Sequence, residues 1–335
     1  MRAAGCHLIE QINADSAFGF TEVIPRIYGL LKHLRRLKKI LKEKRPNCLV
    51  CVDFQAFNLK LATFAQSIGI PVLFYVGPQI WASRPGRIHR YVKAIDHLAV
   101  LYPFEPSLYQ DHAIKVSYVG HPLVSKMQQV PPTCEVRSSL GVVPSALVLG
   151  VFPGSRSNEV KRILPEMLGA VRRLQKQISD LVVLVSEAEH FPEGYLDNLC
   201  VGIDGIQVHR GQSHVLMQAC DVLLMTSGTA TLEAALLNKP MVVTYKVHSL
   251  SAWLLSNIMI TPYVALCNVL LKEQVVPEFL QDLCCANVLS QALIPLLKDK
   301  KTRDKMRQRL TQVNELLGPK SNPVPMRDVL ADILS

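Results

Sequence analysis

The sequence predicts an α/β protein built as two doubly wound halves, each a parallel sheet with helices on both faces. Three observations carry that prediction. Short apolar runs of strand type alternate with helical patterns through most of the 335 residues, the mark of parallel sheets covered on both sides. The alternation breaks at the paired prolines within Gln128–Thr133 and then restarts. With 49% hydrophobic and 19% charged residues, the chain can fill two cores. That composition excludes a disordered or low-complexity protein.

In the first half, Leu49–Val52 reads as a buried strand ending at Asp53. A helical pattern covers Asn58–Ile68, and Gly69 stops it. The strands Pro71–Val76, His97–Leu101 and Val116–Val119 follow, the last running into Gly120, His121 and Pro122. His121 reads as hinge packing. The second half opens with strand Leu147–Phe152 and helix Asn158–Gln177. Strands Leu181–Val185, Ile206–His209 and Val222–Met225 come next, then helix Thr229–Leu237 and strand Pro240–Tyr245. This order assigns residues 1–127 to a first domain, 128–140 to a linker and 141–300 to a second domain. Residues 301–335 read as C-terminal helices that pack back on the first. Open α/β sheets bind ligands at the carboxyl ends of their strands, so the cleft between the halves is the expected site.

Upstream, Arg26–Arg45 forms a basic amphipathic helix. Ile27, Leu30, Leu31, Leu34, Leu37 and Leu41 recur at three- and four-residue spacing, and Arg35, Arg36, Lys38, Lys39, Lys42 and Lys44 supply charge around that stripe. Two readings stand: a packed helix with a solvated cationic face, or a membrane-surface element near anionic lipid. The net charge, 37 − 27 = +10, favours acidic partners such as phosphates, nucleotides or an anionic membrane. No recognition motif for nucleic acid accompanies it, so none is expected as a partner. The segment Val247–Leu271 lacks Lys, Arg, Asp and Glu, but Pro262 and its polar residues interrupt it. It reads as a buried helix plus loop open to lipid contact, not as a spanning segment. Met1–Cys6 opens no signal peptide. Nine cysteines without disulfide or zinc spacing read as thiols in a reducing compartment, with Cys48 and Cys51 on a buried strand.

Three places carry chemistry. After strand Leu147–Phe152, Pro153, Gly154, Ser155 and Arg156 turn the chain into a helix. Glycine permits close backbone approach, helix-start amides favour anions, and Arg156 offers a planar fork for phosphate. After strand Val222–Met225, Ser227, Gly228 and Thr229 repeat the arrangement, with hydroxyls and an unshielded amide suited to a pyrophosphate. Glu233, one turn into that helix, suits a ribose better than a phosphate, which it would repel. Plain helix capping is the structural alternative at both turns. Asp53, at a strand end in the first half, is placed to take a proton from an attacking hydroxyl; a turn or N-cap aspartate is its alternative. Trp81 is a weaker candidate.

Taken together, these motifs resemble lipid-A-disaccharide synthase, an inverting glycosyltransferase family of the GT-B type with two Rossmann-like domains. The resemblance rests on Val52-Asp53-Phe54 with Phe57 and Asn58, and on Tyr75–Ala82 with Pro78 and Trp81. Val119–Pro122, Pro153–Arg156 with Glu159, Ser227–Glu233 and Asn268 complete it. It implies transfer of the sugar of UDP-2,3-diacylglucosamine to the 6-hydroxyl of 2,3-diacylglucosamine 1-phosphate, giving the β-1,6 lipid A disaccharide and UDP. It implies no cofactor and no metal. Asp53 then matches the family's essential aspartate, Arg156 the donor-site arginine, Glu233 the glutamate near the ribose, and Asn268 a functional asparagine. Gly154, Ser155, Ser227, Gly228 and Thr229 complete the donor side. Trp81, Ile27, Leu30 and Leu31 fall on the acceptor or membrane side. The stretch 18–31 matches a surface that docks on the inner membrane, so a cytoplasmic, peripheral location is expected.

The chain departs from the family pattern in three places. The family opens with a strand and a Gly-Glu-Thr-Ser-Gly-Asp loop, and this chain starts after them. The first sheet is therefore expected to lack a central strand, whether from a misassigned start codon or in a truncated or paralogous copy. Ala56 stands where a further aspartate is common, and Gly77 and Ser83 replace a serine and a tryptophan. A catalytically silent UDP-sugar-binding copy and another UDP-sugar GT-B transferase are the rival functions.

Overall fold

In the computed structural model the structure describes residues 5–9, 23–81, 85–247 and 260–335, with the side chains of 23–27 and 85 left undescribed. The order along the chain is α1 (Val23–Lys44), β1 (Leu49–Val52), α2 (Gln55–Ser67), β2 (Val72–Tyr75), α3 (Ile88–Val92), β3 (His97–Val100), β4 (Lys115–Tyr118), α4 (Pro122–Gln128), α5 (Thr133–Ser139) and β5 (Leu147–Phe152). There follow α6 (Ser157–Gln175), β6 (Leu181–Glu187), α7 (Tyr195–Cys200), β7 (Ile206–Arg210), α8 (Ser213–Ala219), β8 (Val222–Thr226), α9 (Thr229–Leu236) and β9 (Met241–Tyr245). Then come α10 (Leu266–Leu271), β10 (Glu278–Leu280), α11 (Ala286–Lys298), α12 (Lys300–Leu317) and α13 (Met326–Leu334).

Two parallel sheets result. The first runs β1-β2-β3-β4 and the second β10-β9-β8-β5-β6-β7. Read from β7, the second sheet has the doubly wound order 3-2-1-4-5-6. It reverses direction between β5 and β8, the point at which such sheets open a crevice beyond their strand ends. The strands that cross the middle of both sheets are almost fully apolar, as burial on two faces requires.

The first sheet packs α1, α2 and α3 on one face, through Leu34, Leu41, Leu61 and Tyr91. On the other face α13 sets Val329 against Leu73 and Ala99. Lys115 and Asp332 join β4 to the same helix. α13 leaves Val50 and Val52 of β1 about half exposed beside a groove of about 240 Å³. The second sheet is closed by α6 and α11 through Ile163, Leu164, Leu289 and Leu293. A third cluster spans the halves, joining Leu101, Tyr102 and Met127 to Leu216, Leu232 and Val313.

The proline-marked stretch 128–140 is not all connection, because residues 133–139 form α5. Its Arg137 is buried, donates to the carbonyls of Pro144, Ala146 and Ala219, and pairs with Asp221 at 2.8 Å. Prolines 131 and 132 mark where α5 begins, not a free tether, since proline suits the entry to a helix. The apolar stripe of α1 packs inward: Leu34 and Leu41 are buried, and Leu30 and Leu37 lie against the same core. Leu31 and Tyr28 remain exposed. The Ile27 side chain and residues 18–22 of the expected membrane surface lie outside the described residues. So do residues 248–259 of the uncharged segment 247–271, of which α10 is described. Among the described residues no helix is long and apolar enough to cross a membrane.

Candidate active site

The strand-to-helix turns after β5 and β8 face each other across the reversal point of the second sheet. Gly154, Ser155, Arg156, Ser227, Gly228 and Thr229 all line one cavity of about 580 Å³. Local chemistry shapes both turns. Gly154 has φ +104°, and a Cβ there would lie 3.0 Å from Glu159 Oε2 and 3.2 Å from Thr226 Oγ1. Only glycine allows that approach without displacing its neighbours. Arg156 caps the start of α6 in an extended conformation, and its Nη1 donates to Glu159 Oε1 at 2.7 Å. The Tyr245 hydroxyl donates to the same carboxylate oxygen at 3.2 Å. Arg156 remains half exposed, so part of its fork faces the cavity.

The second turn is riveted from behind. Ser227 Oγ donates to the Val264 carbonyl at 2.7 Å. Thr231 Oγ1 donates to the Gly228 carbonyl at 2.8 Å and accepts from Leu266 N at 3.1 Å. In this structure the Ser227 hydroxyl proton is therefore engaged by the protein itself. The Gly228 backbone and the exposed Thr229 also line the cavity. A Cβ at Gly228 would meet nothing within 4 Å, so the cavity opens directly onto its backbone.

Glu233 sits just behind the wall. Its neighbours Ser213 and Lys126 both line the cavity, and Lys126 Nζ lies 4.0 Å from its carboxylate. Burial raises Glu233 above the usual carboxylate range, while Lys126 and the Ser213 hydroxyl hold it down. Asn268 is not brought to the cavity. It is fully buried, accepts from Val275 N and Val276 N, and donates to the Val276 carbonyl and to Glu278 Oε1 at 2.7 Å. Glu278 in turn accepts from Val264 N and Ala265 N, both at 2.9 Å. Asn268 thus acts through Glu278 and segment 264–266 on the Ser227 turn, because a fully hydrogen-bonded buried amide has no group left for a ligand.

Asp53 stands at the carboxyl end of β1 and does not border the 580 Å³ cavity. Asp53 and Phe54 have φ of +47° and +42°, and Val76, beyond the end of β2, has +66°. Left-handed backbone at non-glycine residues persists where the surroundings enforce it. Here Asn58 Nδ2 donates to the carbonyls of Val52 and Asp53 at 3.1 and 2.8 Å. Asp53 N donates to the Tyr75 carbonyl at 3.0 Å. The Asp53 side chain itself is exposed, without a hydrogen bond or ion pair among the described residues.

Trp81 is half-buried and fixed: its Nε1 donates to Glu105 Oε1 at 3.1 Å, and its ring meets Tyr102 and Phe104 edge-on. Glu105 is itself buried and accepts from Leu101 N and Tyr102 N. His121 is the N-cap of α4, accepting from Leu123 N at 3.2 Å, and burial pushes it down to about 4. Cys51 is buried and its thiol is pushed up to about 12, so it stays protonated at neutral pH. Among the described residues no three His, Cys, Asp or Glu side chains converge as a metal site. The sequence reading missed Lys126, Thr231 and Glu278. For Lys126 the available signal was its place two turns after Gly120, at the boundary between the halves.

Comparison with known proteins follows the same lines. A family model described as lipid-A-disaccharide synthetase matches residues 1–328. The lipid-A-disaccharide synthase of Trichlorobacter lovleyi is 35% identical over 322 residues, 95% of this chain and 83% of that protein. That of Syntrophotalea carbinolica is 36% identical over 324 residues, 95% of this chain and 82% of that protein. Lipid-A-disaccharide synthase 1 of Legionella pneumophila is 35% identical, with 95% and 83% covered. Among solved structures, the UDP-GlcNAc 2-epimerase of Neisseria meningitidis bound to UDP-GlcNAc aligns with a TM-score of 0.57 at 12% identity, covering 85% of this chain and 80% of that one. A glycosyltransferase of kitacinnamycin aligns at 0.62 and 14% identity, covering 100% and 88%. At such identities these two likenesses speak for the fold alone, which is the GT-B arrangement.

Proposed function

The chain belongs to the lipid-A-disaccharide synthetase family, and we propose how its two sheets share that family's reaction. The protein is a glycosyltransferase of lipid A biosynthesis that uses a UDP-sugar donor and a sugar-phosphate acceptor. In our reading the donor is UDP-2,3-diacylglucosamine and the acceptor 2,3-diacylglucosamine 1-phosphate. Residues 141–300 hold the donor and residues 1–127 the acceptor.

The observation that carries this reading is the pair of turns after β5 and β8, which wall one cavity at the reversal point of the second sheet. The donor's diphosphate lies between them, against the amides around Gly228, the Thr229 hydroxyl and Arg156. Preorganised donors aimed at a leaving diphosphate stabilise the charge that develops there. Glu233 takes the ribose hydroxyls in place of Lys126. Asp53 accepts the proton of the acceptor's 6-hydroxyl. That oxygen attacks the donor's anomeric carbon, the bond to the diphosphate oxygen breaks with its electron pair, and UDP departs. Attack opposite the leaving group inverts the centre and gives the β-1,6 bond.

Both substrates carry acyl chains, so a seat on the membrane keeps those chains in lipid during the reaction. The cationic outer face of α1, with Arg35 and Lys42 exposed beside Tyr28 and Leu31, supports docking to anionic lipid on the cytoplasmic side of the inner membrane. Incubation with both substrates tests the function: disaccharide and UDP appear in equal amounts. UDP binding without any disaccharide would contradict it and support a silent copy.

A further inference from the structure

A second, smaller cavity lies beyond the carboxyl ends of β1 and β2, apart from the donor cavity. It holds about 120 Å³ and is lined by Gln55, Pro78, Gln79, Ile80 and Arg87. A water occupies about 30 Å³ of liquid, so this space takes roughly four waters, the scale of one tetrahedral oxyanion. Among the described residues its polar groups are one guanidinium and two carboxamides, with no carboxylate. None of the three side chains makes a hydrogen bond or ion pair with another described residue. Arg87 therefore presents its permanently charged, planar donor fork to the cavity without a competitor, in contrast to Arg156, which Glu159 already engages.

The position matters as much as the chemistry. Gln55 is two residues from Asp53, and the buried Tyr91 lies within electrostatic reach of both Arg87 and Asp53. A sugar-phosphate acceptor that offers a hydroxyl to Asp53 must also bring a phosphate close to that carboxylate. Two anions side by side repel unless a cation stands with them. Among the described residues that line this cavity Arg87 supplies such a charge.

We propose that the pocket of Arg87, Gln55 and Gln79 seats the phosphate monoester of the acceptor, and so turns the acceptor's hydroxyl toward Asp53. The proposal rests on the acceptor assignment above and adds to it the residues that recognise the phosphate. In this arrangement the guanidinium forms paired hydrogen bonds to two phosphate oxygens, and the carboxamides donate to the remainder.

The test titrates a short-chain 2,3-diacylglucosamine 1-phosphate and its phosphate-free analogue into the full chain saturated with UDP. The native protein is expected to prefer the phosphorylated sugar by about 10- to 100-fold, the range for hydrogen bonds to a charged group. Arg87→Ala is expected to lose that preference while binding the phosphate-free analogue and UDP as before. Arg87→Lys, which keeps the charge and loses the fork, is expected to fall between them and serves if the alanine variant does not fold. A native protein without preference for phosphate, or an Arg87 variant that retains it, overturns the proposal. A disaccharide assay on the same samples separates the two ideas. Product formed with the preference unchanged in Arg87→Ala sinks the pocket alone. Phosphate selectivity lost in Arg87→Ala without product from the native protein upholds the pocket and sinks the reaction assigned above.

Discussion

Arg156 already holds a carboxylate in this structure. Its Nη1 bonds Glu159 at 2.7 Å while the rest of the side chain stays half exposed, so in the proposed donor site a diphosphate engages the remaining guanidinium donors. Removing the side chain in Arg156→Ala takes away one charge-assisted contact. UDP affinity measured by calorimetry is expected to fall by about 1.5–3 kcal/mol, and unchanged affinity would remove Arg156 from the donor site. Residues of this kind are legible in a sequence because their neighbours announce them. Gly154 and Gly228 mark the two turns that border the cavity, and a strand run before each turn gives the direction. Ser227 was legible as a turn residue, but its partner Val264 lies 37 positions away, and no local pattern reveals that contact.

At the scale of elements, β10 explains how the Ser227 turn is held. Glu278 of β10 accepts from Val264 N, Ala265 N and Asn268 Nδ2. The same segment accepts from the Ser227 hydroxyl through the Val264 carbonyl and donates from Leu266 N to Thr231 Oγ1. Glu278→Ala leaves buried donors without a partner and is expected to cost roughly 3 kcal/mol in a urea unfolding curve, the scale of one or two unsatisfied groups. UDP affinity is expected to weaken with it. A variant as stable as the native protein would show that this chain of bonds does not brace the turn. The longer buried strands were readable as apolar runs, because parallel strands covered on both faces need little else. β10 escaped notice because it is three half-buried residues long, too short for either periodicity. α5 escaped because its prolines resemble a tether, while the pairing that anchors it, Arg137 with Asp221, spans 84 positions.

For the whole molecule, the halves are joined by a common core and by α13, and buried histidines couple that assembly to pH. His121, at the start of α4, is held neutral and pushed down to about 4 from its ordinary 6.5. His97, beneath α13 and hydrogen-bonded to Ser117, is also lowered by burial. The unfolded chain takes up a proton at His121 below pH 6.5 and the folded chain does so only near 4, so the unfolded state binds more protons in that window. Stability therefore falls as pH drops from about 6.5 to about 4, by on the order of 3 kcal/mol from His121. His97 adds a loss of the same sign. In His121→Asn, which keeps a capping side chain, the slope of the urea midpoint against pH is expected to flatten. An unaltered slope would place the titration elsewhere.

The proposed division of labour between the sheets puts the proton acceptor on the first and the nucleotide on the second. Asp53→Asn tests it most directly, because asparagine tolerates the left-handed backbone found at that position and removes only the acid. Disaccharide turnover is expected to fall by about 10²–10⁴, the scale for losing a general base, with UDP affinity untouched. Turnover close to that of the native protein, or a parallel loss of UDP binding, would contradict the account.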